Sequence, residues 1–79
     1  MRRIINDGEL AVDRRRDPEG NYIVVMKVKD YENVKDKVNE LGLVVELASD
    51  LVLIKSKSWS KVSRLINYAR SRGIKVRES

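Results

Sequence analysis

The sequence predicts an α+β domain in which one strand–helix–strand unit occurs twice, giving the order βαββαβ from Tyr22 onward. Sliding the chain by 28 residues places Tyr31 on Trp59 and Val38 on Ile66. Each copy begins with an apolar run of strand length, and its apolar residues then recur at helical spacing. Because the matched residues have the same structural role in both copies, both copies are expected to fold alike.

In the first copy, the predicted strand covers residues 22–28 and the predicted helix covers residues 31–41. Asp30 is predicted to be the N-cap of this helix, because its side-chain oxygen can accept a free amide proton. Gly42 follows the helix and is expected in the left-handed conformation that ends many helices. A short strand over residues 43–47 completes the copy.

The second copy repeats this order with a strand over residues 51–54, a helix that opens at Trp59, and a last strand over residues 74–77. Ser56 or Ser58 is the predicted N-cap, and Gly73 is the predicted helix-ending glycine. The short junction at residues 48–50 predicts an antiparallel hairpin between the two copies.

Two such units resemble the ferredoxin-like sandwich, which implies two helices on one face of a four-stranded antiparallel sheet. The resemblance is at the level of the fold and covers residues 21–79. It says little about function, because many unrelated activities share this fold. With few thermolabile residues and many charged ones, the chain is also similar to small basic ribosomal and RNA-binding proteins of heat-adapted microbes, with no particular family indicated.

Residues 1–20 are predicted to form a separate N-terminal basic hairpin or arm that precedes the domain of residues 21–79. A turn is predicted at residues 6–8, Asn-Asp-Gly, between a strand containing Ile4 and Ile5 and a strand over residues 10–12. A second turn is predicted at residues 17–20, Asp-Pro-Glu-Gly. In the ferredoxin-like order the first core strand already has two neighbours. The arm is therefore expected to extend beyond the sheet or to fold over its open face.

The composition argues against most catalytic and cofactor sites. The chain has no cysteine and no histidine, which removes thiolate and imidazole as metal ligands, nucleophiles or general bases. We therefore expect no cofactor, no metal and no enzymatic activity. The longest apolar runs are too short to span a bilayer, so we also expect no membrane partner and a cytoplasmic location.

Positive charge is concentrated in the last third of the sequence. The formal net charge is +5, yet residues 1–20 sum to zero and residues 21–50 carry four lysines against six acidic residues. Residues 51–79 carry eight lysines and arginines against Glu78 alone. Such an uneven distribution favours a polyanionic partner, whereas an inert basic surface is the alternative.

The second helix carries the most informative surface. At 100° per residue an arc of about 80° contains four cations and one aromatic residue, namely Lys57, Lys61, Arg64, Tyr68 and Arg72. Cations at this spacing can neutralise successive phosphates, and Tyr68 can stack on a base or bond a phosphate; a solvated helix flank is the alternative. Together with a basic loop and the last strand, the predicted nucleic-acid contacts are Arg14, Arg15, Arg16, Lys57, Lys61, Arg64, Tyr68, Arg72, Lys75 and Arg77.

The face of the sheet opposite the helices is predicted to be aliphatic. Strand alternation places Ile23, Val25, Leu51 and Leu53 there. RNA-recognition domains carry base-stacking aromatic residues at the matching positions, so base stacking on this sheet is not expected. Exposed aliphatic residues instead predict cover by the N-terminal arm, a second subunit or a larger assembly.

These observations predict a small, basic, non-catalytic RNA-binding protein, a structural component of the ribosome or of another ribonucleoprotein. The expected partner is structured RNA, with DNA as an alternative, and other proteins could bind the open sheet face. The alternative function is a protein-interaction accessory subunit of a nucleic-acid machine such as a DNA polymerase holoenzyme. A ligand-sensing domain ranks third, because no glycine-rich loop separates a strand from a helix.

Overall fold

The computed structural model of the protein describes residues 5–78, which combine one five-stranded sheet with three helices. The predicted α+β class is therefore confirmed. In chain order the elements are β1 (Glu9–Asp13), β2 (Tyr22–Lys27), α1 (Val28–Tyr31), α2 (Lys35–Leu41), β3 (Val44–Ala48), β4 (Leu51–Ser56), α3 (Trp59–Ser71) and β5 (Lys75–Glu78).

The sheet is mixed, and its strand order is β3-β4-β2-β1-β5. Strand β2 pairs antiparallel with both β1 and β4, and β3 pairs antiparallel with β4. The last strand, β5, pairs parallel with β1 and is not adjacent to β2 in the sheet. The observed sheet therefore differs from the predicted four-stranded antiparallel one.

The N-terminal segment contributes β1, which lies inside the sheet between β2 and β5. The prediction that this segment extends beyond the sheet or folds over its open face is therefore wrong for residues 9–13. It assumed that the last strand occupies the edge of β2. The loop of residues 14–21 instead brings β1 to that edge, and Leu10 and Val12 are fully buried against the helices. The division of the chain at residue 20 stays a prediction.

The predicted turn at residues 6–8 is confirmed. The Glu9 amide donates to the Asn6 carbonyl at 3.3 Å, and Gly8 has a φ of 78°. Of the strand predicted before this turn, Ile4 lies outside the described residues. Ile5 is not in a strand, but its side chain is buried.

The main core lies between the sheet and the helices, as strand alternation predicts. Val24 and Met26 of β2 and Ile54 of β4 are fully buried there. From the other side, α3 contributes an apolar stripe with helical spacing. Its members are Val62, Leu65, Ile66 and Ala69.

The first predicted helix is divided into two pieces, α1 and α2. Between them the amides of Asn33 and Val34 bond to carbonyls three residues earlier, at 3.1 and 2.9 Å, which tightens the backbone into a 3₁₀-type turn. Asparagine and valine are both weaker helix formers than alanine or leucine, so this stretch is a favourable place for the interruption.

Asp30 is not an N-cap, so that prediction is wrong. The residue lies inside α1, is 6% exposed, and accepts the Gly8 amide on Oδ2 at 2.8 Å. The N-cap position of α2 is Val34, which has no side-chain cap. The carboxylate instead satisfies an amide of the distant turn at residues 6–8, a partner that local sequence spacing does not reveal.

The other local predictions for the two copies are confirmed. Ser58 caps α3 by accepting the Lys61 amide on Oγ at 3.4 Å. Gly42 and Gly73 have positive φ values of 67° and 84°. The β3–β4 hairpin pairs Ala48 with Leu51 across a two-residue loop.

The Asp30–Gly8 hydrogen bond generates a stability prediction. Asp30→Ala removes the acceptor and leaves the Gly8 amide unsatisfied, so the free energy of unfolding should fall by about 1–3 kcal/mol. Urea denaturation measures this change. Asp36→Ala, which removes an exposed carboxylate from α2, is the matched control and should cost less. An equal loss in the two variants would contradict a structural role for the Asp30 hydrogen bond.

Candidate nucleic-acid interface

The predicted contact residues fall in four separate places. Arg14, Arg15 and Arg16 lie in the loop between β1 and β2, which we call the arginine loop. Lys57 precedes α3, and Lys75 and Arg77 lie on β5. The remaining four lie along α3 and its C-cap and form what we call the basic flank: Lys61, Arg64, Tyr68 and Arg72.

The basic flank runs beside the buried stripe of α3 and contains no acidic residue. None of the 13 residues of α3 is Asp or Glu. Lys61, Arg64 and Arg72 are exposed. Among residues 5–78, no carboxylate lies within ion-pair distance of Lys61 or Arg64. Their charges are therefore directed to solvent and add to one another, which is the arrangement that attracts a polyanion.

Tyr68 holds Arg72 in place. Its hydroxyl oxygen accepts from Arg72 Nε at 3.2 Å and from Nη2 at 2.7 Å. The ring is half-buried against the core, and Lys37 Nζ of α2 lies 5.6 Å from its centroid. In both hydrogen bonds the hydroxyl oxygen is the acceptor, so a bond from its proton to a phosphate stays a prediction. Stacking of Tyr68 on a base stays a prediction.

The arginine loop forms a cluster with two aromatic residues. The guanidinium carbon of Arg14 lies 4.4 Å from the Trp59 ring centroid, and that of Arg16 lies 5.0 Å from the Tyr22 centroid. The two rings meet edge to face at 5.1 Å, with 61° between their planes. We call these four residues the arginine–aromatic cluster. Arg15 is not part of it, since its side chain is 91% exposed.

Sequence reasoning missed this cluster because it identified Trp59 only as the residue that opens the second helix and matches Tyr31 in the first. Trp59 does pack against the main core, but the guanidinium group of Arg14 also lies over its ring. The β1–β2 pairing sets Asp13 opposite Ile23 and so brings residue 14 level with residue 22, and the sequence did not predict this pairing. In extended chain, alternate residues point the same way, which separates Arg14 and Arg16 from Arg15.

The cluster and the basic flank lie on different sides of α3. Trp59 and Lys61 are two residues apart, which is about 160° around the helix axis. Tyr68, which belongs to the basic flank, lies on the side of α3 that faces Lys37 of α2. The chain therefore offers two separate basic surfaces, not one continuous patch.

Lys57 and Arg77 lie beside acidic residues, which weakens their contribution to the positive field. Arg77 Nη1 lies 2.9 Å from Glu9 Oε1. Lys57 lines a shallow groove of about 330 Å³ together with Glu19, Glu46 and Lys55. Within this groove Lys55 and Glu46 are 3.1 Å apart, and this contact raises the pKa of Lys55.

The open face of the sheet is aliphatic, as alternation predicts. Ile5, Ala11 and Val25 form a small buried cluster there, and Ile23, Leu51 and Leu53 are half-buried around it. Ile5 belongs to the N-terminal segment and supplies part of the predicted cover. At the β3 edge of the sheet, Val44 is 58% exposed and Leu47 is 73% exposed.

Two further properties concern the described part of the chain as a whole. Within residues 5–78, no group of three or more acidic side chains is arranged to hold a metal ion. None of the helices in that range combines the length and apolar character needed to cross a membrane.

Comparison with protein-family models, with curated proteins and with solved structures found no match to this chain. Its function is therefore inferred from the geometry and charge of its own residues.

The turn that supports the arginine loop depends on an ionised carboxylate. Asp17 Oδ1 accepts the amides of Asn21 at 2.8 Å and Glu19 at 2.9 Å. The Asn21 amide is the largest influence that holds the pKa of Asp17 below its ordinary value. Hydrogen bonds from Lys29 and Lys27 lower the pKa of Asp7 in the same way.

These pKa shifts generate a prediction about acid stability. A carboxyl group whose pKa is lower in the folded state stabilises the fold above its unfolded pKa, near 4, and this contribution is lost as pH falls through the folded pKa. The thermal midpoint should therefore fall between pH 5 and pH 2.

Asp17→Asn should lower the midpoint at neutral pH and make the acid-induced fall smaller. Glu32→Gln, which changes an exposed carboxylate, is the control and should leave that fall unchanged. A fall of the same size in Asp17→Asn and in the unmodified protein would contradict the role given to Asp17.

Proposed function

We propose that this chain is a small, non-catalytic RNA-binding protein that serves as a structural component of a ribosome or of another ribonucleoprotein in the cytoplasm. The observation that carries the proposal is the basic flank of α3, an exposed row of cations on a helix without acidic residues. Phosphate contacts of this kind supply most of the affinity of sequence-independent nucleic-acid binding.

The two helices of the repeat give this proposal an internal comparison. Helix α2 mixes Lys35 and Lys37 with Asp36 and Glu40, and Lys37 pairs with Glu40 at 2.9 Å. Helix α3 has the same place in the repeat but only cations among its charged residues. Packing against the sheet requires an apolar stripe and places no demand on the sign of the exposed charges. The difference is therefore best explained by a polyanionic partner.

Structured RNA is proposed in preference to DNA. Helix α3 packs its apolar stripe on the sheet along its whole length, so one flank faces outward and this helix does not project freely from the domain to enter a major groove. A flank of this kind suits contacts to phosphates along the surface of a folded RNA.

We also propose that the fold is a ferredoxin-like unit with one inserted strand. If β1 is left out, the order β3-β4-β2-β5 corresponds to the ferredoxin-like order of the four repeat strands. Because β5 is parallel to β1 and β1 is antiparallel to β2, β5 also has the direction that this fold requires.

The proposal predicts that binding depends on salt and on the basic flank. The triple variant Lys61→Ala/Arg64→Ala/Arg72→Ala should weaken binding to an RNA hairpin at low salt. Because each lost phosphate contact removes released counterions, the slope of log K against log salt should become shallower by about 2–3. Fluorescence anisotropy with labelled RNA measures both quantities, and a DNA duplex of the same sequence tests the preference for RNA.

Lys35→Ala provides the control for this experiment. Lys35 is an exposed cation on the charge-balanced helix α2 and lies about 160° around that helix from Lys37, which faces α3. Its removal should change affinity and salt slope little. If the unmodified protein shows no salt-dependent RNA binding, or if the triple variant binds like the Lys35 variant, the proposal fails.

A protein-interaction function is the second candidate, and the β3 edge favours it. This edge strand exposes Val44 and Leu47, and its one charged residue, Glu46, is paired with Lys55. Natural edge strands usually carry charges or bulges that prevent pairing with another strand. The opposite edge, β5, is charged in this way. Sedimentation velocity distinguishes the two cases, since strictly monomeric behaviour at high concentration would count against self-association through β3.

A further inference from the structure

The arginine–aromatic cluster differs from an ordinary basic loop in the way its arginines are held. Arg14 and Arg16 each lie over the face of an aromatic ring, and the two rings are fixed against each other. Both rings also pack against the main core. The rings therefore hold the guanidinium groups in position relative to the folded core, although the two arginines lie in a surface loop.

Stacking on a ring leaves the hydrogen-bonding capacity of arginine intact. The N–H donors of a guanidinium lie in its plane, so a group stacked by its face still presents them at its edge. Among residues 5–78, no ion pair joins Arg14 or Arg16 to a carboxylate, whereas Arg15 Nε lies 3.9 Å from Asp13 Oδ1. The donor edges of the stacked pair are thus available to an external anion.

The loop backbone supports the same arrangement. Asp13 Oδ1 accepts the Arg15 amide at 2.9 Å, and Asp17 closes the following turn by accepting two amides. Both acidic side chains are engaged with backbone groups of the loop. They consequently order the loop.

We propose that Arg14 and Arg16 form a pre-oriented clamp for phosphates of one RNA strand, with Tyr22 and Trp59 as the positioning residues. This inference rests on the proposed function and adds a second contact site on the other side of α3 from the basic flank. Pre-orientation lowers the conformational entropy lost on binding, and planar guanidinium groups recognise phosphate oxygens with two donors at once.

The clamp is tested by charge-conserving substitutions measured against a labelled RNA hairpin. Arg14→Lys and Arg16→Lys keep the charge but lose the planar fork, so each should weaken binding by about five- to tenfold. Arg15→Lys is the matched control in the same loop, because Arg15 is not stacked, and it should weaken binding by less than about twofold. Equal effects at the three positions would overturn the clamp.

The positioning role is tested through the rings. Trp59→Phe and Tyr22→Phe keep an aromatic face and should retain binding, whereas Trp59→Leu and Tyr22→Leu should weaken it at unchanged net charge and unchanged salt slope. Thermal unfolding of each variant identifies losses due to instability. If folded Leu variants bind as tightly as the Phe variants, the rings do not position the arginines and the inference is wrong.

The same titrations separate this inference from the proposed function. If the unmodified protein binds RNA and the basic-flank triple variant weakens that binding, while the three Arg→Lys variants behave alike, only the clamp is rejected. If the unmodified protein does not bind RNA in a salt-dependent manner, both are rejected.

Discussion

The antiparallel pairing of β1 with β2 is the interaction on which the remaining structure depends. It places Leu10 and Val12 in the main core, where both are fully buried. Because β1 occupies the position beside β2, the last strand, β5, pairs with β1 and forms the edge of the sheet. Finally, it brings the arginine loop to the end of β2 at which Tyr22 lies. A strand from the N-terminal segment thus determines the strand order, the sheet edge and the position of one basic surface.

Local elements could be predicted from the sequence because their signals are local. The glycines that end the helices, the Ser58 cap and the hairpin at residues 49–50 each depend on residues that are near neighbours in the chain. The alternation of β2 and β4 was equally readable, because side chains on opposite faces of a strand meet different environments. All of these features are found in the structure.

The rest depended on contacts between distant parts of the chain. Either β1 or the last strand could pair antiparallel with the free edge of β2. The shorter connection in sequence favours β1, whereas the prediction based on the repeat placed the last strand there. Asp30 has a spacing that suits an N-cap, yet its partner is the Gly8 amide, 22 residues away. For the candidate site, the basic flank could be found from helical spacing. The arginine–aromatic cluster joins the arginine loop, β2 and α3, and could not be found in this way.

The uneven charge of the sequence acquires a physical meaning in the fold. Cations on α3 add to one another because no carboxylate of that helix opposes them, whereas Arg77 and Lys57 lie beside acidic residues. A count of charges along the chain treats all these cations alike. Their partners in the structure rank the basic flank and the arginine–aromatic cluster above the last strand as candidate sites for the proposed polyanion.

The central claim is that RNA contacts this chain through α3 and the arginine loop. An NMR titration of the ¹⁵N-labelled protein with an RNA hairpin at low salt tests it most directly. Trp59 is the only tryptophan, so its indole N–H gives one identifiable signal within the cluster. We expect shifts at this signal, at the arginine-loop amides and along the basic flank. Shifts confined to the open sheet face or the β3 edge, or no shifts at all, would contradict it.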